Sequence, residues 1–125
     1  MTTPVRPQLA RLLKEKGCEI ATTDLYIDNE LIYAEGRICN WNLEPEYEEL
    51  ENPISAPTIA QVVMWLYKKH DIWIEVRKTN FFKEIRFQSY MNENPLVGNL
   101  GGYISHSQPT QAYEAAIEYC LTNLI

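Results

Sequence analysis

The chain has no apolar run near the roughly 20 residues that a membrane-spanning helix needs. Its first residues, MTTPVRPQLARLLKEKG, lack the apolar core of a signal peptide, because Arg11, Lys14 and Lys16 interrupt the only hydrophobic stretch. A cytoplasmic address is the expectation. Cysteine is scarce. Cys18, Cys39 and Cys120 are widely spaced and odd in number, which is no disulfide framework, and no CxxC pair offers zinc ligands. Cys120 falls at an apolar helical position, where a buried thiol is the usual outcome. Basic charge is short as well: the net charge is −6. Residues 24–54 hold nine acidic groups and one basic, whereas 55–125 hold six of each. With no bulk attraction for phosphate backbones, non-specific nucleic-acid binding is disfavoured.

The common catalytic signatures are also missing, with no P-loop, HExxH or GxSxG anywhere in the chain. Gly98-Asn99-Leu100-Gly101-Gly102 is glycine-rich, but it leads into an expected strand, and an anion cradle needs a helix N-terminus. It reads as a hairpin turn. Gly98 and Gly101 also fit the spacing of a GxxG nucleic-acid clamp, yet Pro95 and Gly102 stand where that clamp has helices. His106 lies between Ser105 and Ser107, and neighbouring strand residues face opposite ways, so no nucleophile–base pair forms there. His70, at a helix end, reads as a dipole partner. Glu44, Glu46, Glu48, Glu49 and Glu51 crowd together around Pro45 and before Pro53, without the spacing or mid-loop glycine of a calcium loop. That run reads as a solvated segment anchored by Trp41, Leu43, Tyr47 and Leu50. No catalytic residue, metal site or cofactor is expected.

What the chain does have is a well-patterned centre. In Ser55–Val76 the residues Ile59, Val62, Val63 and Leu66 recur at helical spacing, after a start at Ser55 or Ala56 with Pro57 in the first turn. Lys68, Lys69 and His70 close the last turn, where positive charge meets the negative end of the dipole. The period then changes to two. Ile72, Ile74 and Val76 share one face, and Trp73, Glu75 and Arg77 the other. So short a link folds the helix stripe back over the apolar side of the strand.

Around this centre, Gln8–Lys16 reads as a helix stopped by Gly17. Asp24–Ile27 and Leu31–Glu35 read as a hairpin with Asp28, Asn29 and Glu30 in the turn. A second strand of the body runs from Phe82 to Met91, with Ile85 and Phe87 on one side and Arg86, Gln88 and Tyr90 on the other. A third follows near Gly101–Ser105. Pro109 and Thr110 open a last helix, Gln111–Leu124. The expected architecture is one α+β domain of 125 residues. Its body, 55–125, is a three-stranded antiparallel sheet with two helices on one face, preceded in 1–54 by a helix, a possible hairpin and the acidic loop.

By alternation Trp73, Arg77, Arg86 and Tyr90, with Tyr103, lie on the sheet face away from the helices. Rings interleaved with guanidinium groups anchor protein partners or stack bases. Either the N-terminal part covers this face as a second core, or the face contacts a protein, a second copy included. Of the functional readings, a non-enzymatic interaction protein is the expectation, with a nucleic-acid platform as the rival and a small hydrolase as the third.

The element order from Ser55 onward is similar to that of double-stranded-RNA-binding domains. Their last helix opens on lysines, however, where this chain has Pro109-Thr110-Gln111-Ala112-Tyr113-Glu114, so RNA binding is not implied. Three blocks, Leu9–Gly17 (LARLLKEKG), Ser55–Val76 and Thr110–Leu121, resemble those of uncharacterised small proteins encoded in phages and mobile elements of gut bacteria. The spacing of Trp65, Leu66, His70, Ile72 and Ile74 is the most specific part of that likeness. It implies a fold and a genomic setting, and no activity.

Overall fold

The computed structural model describes residues 3–43, 52–81, 83–98 and 104–125. Glu44–Glu51 and Tyr103 lie outside them, so the expectations placed on the acidic run and on that tyrosine do too. The fold is α+β, with three α-helices and two three-stranded antiparallel sheets among the described residues. Two compact units divide the chain, residues 1–61 and 62–125.

In the first unit, α1 (Pro7–Glu15) starts on a proline, where a missing N–H costs nothing, and buries Leu9, Ala10 and Leu13. It stops at Gly17 as the pattern requires. Gly17 has φ 75°, its N–H donates to Lys14 O, and the Cys18 N–H donates to Leu13 O. No heavy atom lies within 4 Å of where a Cβ would stand, so the demand for glycine is set by the backbone alone. β1 (Asp24–Ile27) and β2 (Glu30–Tyr33) form the expected hairpin, one residue tighter than anticipated. Asp28 and Asn29 both adopt left-handed conformations, φ 49° and 67°, the two-residue turn whose twist matches the strands it joins. β3 (Ile54–Ser55) pairs with the other side of β1, giving the order β2-β1-β3. Unforeseen from the residue pattern, the Val5 N–H donates to Pro57 O and the Ile59 N–H to Thr3 O, tying the chain's start to a distant segment.

A polar network locks this unit. Trp41, in a 3₁₀ turn at Trp41–Leu43, is buried, and its backbone N–H donates to Ser55 Oγ at 2.8 Å. The Ser55 N–H donates to Asn42 Oδ1 at 2.9 Å, and Asn42 Nδ2 donates to Cys18 O at 3.2 Å. Trp41 Nε1 donates to Thr22 O at 2.8 Å, and the Tyr26 hydroxyl donates to Val5 O at 2.6 Å. Each of these buried groups has a partner, as stability requires. Trp41 therefore anchors its segment as expected. Leu43 does not: it is 75 % exposed.

α2 (Ile59–His70), within which the chain passes from the first unit to the second, begins later than Ser55 or Ala56. Thr58 is the residue that caps it. Thr58 Oγ1 accepts the Gln61 N–H at 3.2 Å while Gln61 Oε1 accepts the Thr58 N–H at 2.9 Å, a reciprocal capping box that leaves Pro57 outside the helix. The stripe of Ile59, Val62, Val63 and Leu66 is buried, as its spacing demands.

In the second unit, Asp71 turns left-handed after α2, φ 56°, and its N–H donates to Tyr67 O while the Ile72 N–H donates to Leu66 O. Two last-turn carbonyls are thereby satisfied. β4 (Ile74–Phe81) and β5 (Glu84–Met91) follow as a long hairpin. The third strand is β6 (Asn94–Pro95), reached through a two-residue turn at Asn92 and Glu93, φ 49° and 69°. The expected strand at 101–105 falls partly outside the described residues, and nearby His106 makes a single bridge to Phe87. α3 (Pro109–Tyr119) packs across β4 and β5 and continues into a π-helical turn at Cys120–Leu124. Ala112, Ala116, Ile117, Cys120 and Leu121 are its buried residues, and the alanines permit close approach. No described helix is long and apolar enough to cross a membrane.

Candidate interaction surface

The register of β4 on β5 decides which residues share a side. Ile74 lies opposite Met91 and Val76 opposite Ser89, and Ile74, Met91 and Ser89 are buried. By alternation the other side carries Glu75 opposite Tyr90, Arg77 opposite Gln88, and Thr79 opposite Arg86. Arg77, Arg86 and Tyr90 are thus brought together on one face. Tyr103 cannot be placed with them, since it lies outside the described residues.

These side chains hold one another in position. The Arg77 guanidinium sits 4.0 Å from the centroid of the Tyr90 ring, a cation–π contact across neighbouring strands. Its Nε and Nη2 donate to the Glu75 carboxylate at 3.1 and 3.2 Å, a two-pronged ion pair along one strand. The hydrogen bonds from Arg77 hold the Glu75 carboxyl below the usual glutamate range, although the pair stands in solvent. The Tyr90 hydroxyl donates to Gln88 Oε1 at 3.2 Å. Arg86 is clamped at the far side: Nε donates to Ser105 Oγ at 3.1 Å and Nη2 to Ser105 O at 2.9 Å. Trp73, just before β4, is 44 % exposed, and its ring meets that of Tyr67 edge-on at 5.4 Å. The surface is therefore preordered. Few rotamers remain to be frozen when something docks on it.

The histidines sit elsewhere. His106 pairs with Phe87 and so takes the opposite side of the sheet from Arg86. Burial and the charge of Arg86 push its imidazole below the ordinary histidine value, and its Nε2 has no partner among the described residues. Ser107 Oγ instead donates to Gln111 Oε1 at 3.3 Å, and Ser105 Oγ accepts from Arg86, so neither neighbouring serine is poised against this imidazole. His70 packs edge-on against Trp65, ring centroids 4.9 Å apart. Burial pushes the thiols of Cys18 and Cys120 up to about 11, which leaves little thiolate near neutral pH. Among the described residues no group of three or more His, Cys, Asp or Glu side chains is placed to hold a metal ion. A cleft of about 510 Å³ beside α3, lined by Leu96, Val97, Ile104, Tyr119 and Glu118 among others, offers a single carboxylate and no histidine.

Strand alternation made the Arg77, Arg86 and Tyr90 face legible. What it missed was the mutual support: Glu75 as the carboxylate that steers Arg77, and Ser105 as the acceptor that steers Arg86. The first was within reach, since Glu75 and Arg77 stand two apart on one strand face. Compared with family models, curated proteins and solved structures, the chain finds no match in any of the three.

Proposed function

We propose that this chain is a non-enzymatic interaction protein whose β4–β5 outer face docks a protein partner, as an accessory factor of a phage or mobile element. The observation that carries the contact reading is the fixed geometry of Arg77, 4.0 Å over Tyr90 and held by Glu75, with half-exposed Trp73 just before the same strand. Arginine, tyrosine and tryptophan are the residues that most often carry binding energy in protein contacts. The pairing of Arg77 with a carboxylate and of Arg86 with Ser105 speaks against a phosphate-binding platform, because the net charge of this cluster is small. The genomic setting rests on the sequence resemblance alone.

A photo-crosslinking amino acid at Arg77, with one at exposed Lys83 as control, tests the contact in cells that encode the protein. A discrete protein adduct from position 77, lost on Tyr90→Ala, supports it. Equal labelling from both positions contradicts it, as does a salt-sensitive shift of single-stranded oligonucleotides that needs the same residues. Light scattering across concentration decides whether the partner is a second copy.

A further inference from the structure

The free edge of the first unit's sheet is β2. It borders only β1, and all four of its residues are exposed, including Leu31 at 51 % and Tyr33 at 65 %. The two-residue turn makes Ile27 and Glu30 a hydrogen-bonded pair, so Leu25 with Ile32 is the next, and the Ala34 N–H donates to Thr23 O in the same series. The backbone groups of Glu30, Ile32 and Ala34 are thus spent on the hairpin, while those of Leu31 and Tyr33 point outward. Among the described residues nothing pairs with these N–H and C=O groups. The side chains of Leu31 and Tyr33 share one face, with Tyr26 beside them on β1. An exposed apolar edge of this kind is a template for strand addition, and proteins that leave it bare usually blunt it with lysine or proline. Here neither is present.

Charge selects the occupant. Exposed Asp28 and Glu30 stand at one end of β2 and exposed Glu35 just past the other, and the whole stretch 24–54 has Arg37 as its only basic residue. Arg37 is turned over the Trp41 ring, 5.7 Å from its centroid. A second copy would bring the same acidic ends and a net charge of −6. We infer that β2 receives an extended peptide segment of another protein, apolar at its centre and flanked by lysine or arginine, added to the sheet as a fourth strand. Backbone bonds to Leu31 and Tyr33 supply the register, alternate apolar side chains pack on these two residues, and the flanking cations meet the acidic ends.

The probe is a fluorescent peptide of alternating valine and threonine bracketed by lysine pairs, with the same core bracketed by glutamate pairs as its counterpart. Anisotropy on the full chain is the readout. The lysine peptide is expected to bind, to weaken as salt rises, and to perturb the amide resonances of Leu31 and Tyr33. Tyr33→Pro removes one outward N–H without touching the β1–β2 ladder and is expected to weaken binding about tenfold. Glu30→Lys with Glu35→Lys is expected to reverse the preference between peptides without altering the backbone, and Arg77→Ala to leave it unchanged. Equal binding of the two peptides, full binding by a folded Tyr33→Pro chain, absence of binding, or self-association through β2 would each overturn the inference.

Discussion

Replacing Ser55 by alanine removes the side-chain oxygen that accepts the backbone N–H of Trp41. Ser55 is 2 % exposed and its Oγ accepts the backbone N–H of Trp41, itself 2 % exposed, at 2.8 Å. The substitution therefore takes from the buried Trp41 N–H the oxygen it donates to. The cost of an orphaned buried donor is about 1–3 kcal/mol, more than the ~1 kcal/mol of an ordinary exchanged hydrogen bond. The Ser55 N–H keeps its bond to Asn42 Oδ1, so the damage is confined to one link of the network. Native-state hydrogen exchange reads it directly: the Trp41 amide should lose protection by roughly tenfold or more, with a matching fall in urea midpoint. Ser107→Ala is the control, since exposed Ser107 bonds Gln111 at the surface and should change stability by less than about 0.5 kcal/mol. Unchanged protection of the Trp41 amide in Ser55→Ala would refute the claim that this network holds the first unit together.

The buried thiols predict an order of alkylation. Cys39, half-exposed, should react with iodoacetamide in the native protein well before Cys18 and Cys120, and mass spectrometry of partly labelled protein would show it. His106 predicts a pH dependence. Its folded pKa lies below the unfolded value of 6.5, so its contribution to stability is complete above about pH 6.5 and is lost as the pH falls through the folded value. Urea midpoints measured from pH 8 down to 5 should therefore decline on the acid side, and His106→Gln should flatten that decline.

Much of this fold was legible because it rests on periodicities with one physical meaning. The α2 stripe is buried on schedule, and the change of period after His70 correctly divides Ile74 from Arg77. The Asp28–Asn29 turn and the Gly17 stop follow from residues that tolerate left-handed backbone. The start of α2 was misplaced because Pro57 drew the boundary upstream, although Thr58 and Gln61 spell a capping box. Other features have no local signature. The bonding of Thr3 and Val5 to Ile59 and Pro57, and the seating of Trp41 on Ser55, join residues far apart in the chain. Only the folded backbone brings them together. For the same reason Tyr90 comes to lie under Arg77 through the pairing of β4 with β5, which alternation along one strand cannot supply.

The functional proposal stands on an open Arg77, Arg86 and Tyr90 face with Trp73 exposed next to it, and the three tryptophans report on that. Trp41 and Trp65 are 2 % and 7 % exposed, whereas Trp73 is 44 % exposed. Acrylamide quenching should therefore act mainly on Trp73, and Trp73→Phe should remove most of the quenchable fluorescence. Quenching that survives Trp73→Phe and disappears with Trp65→Phe would mean that the face is covered and the surface assignment inverted.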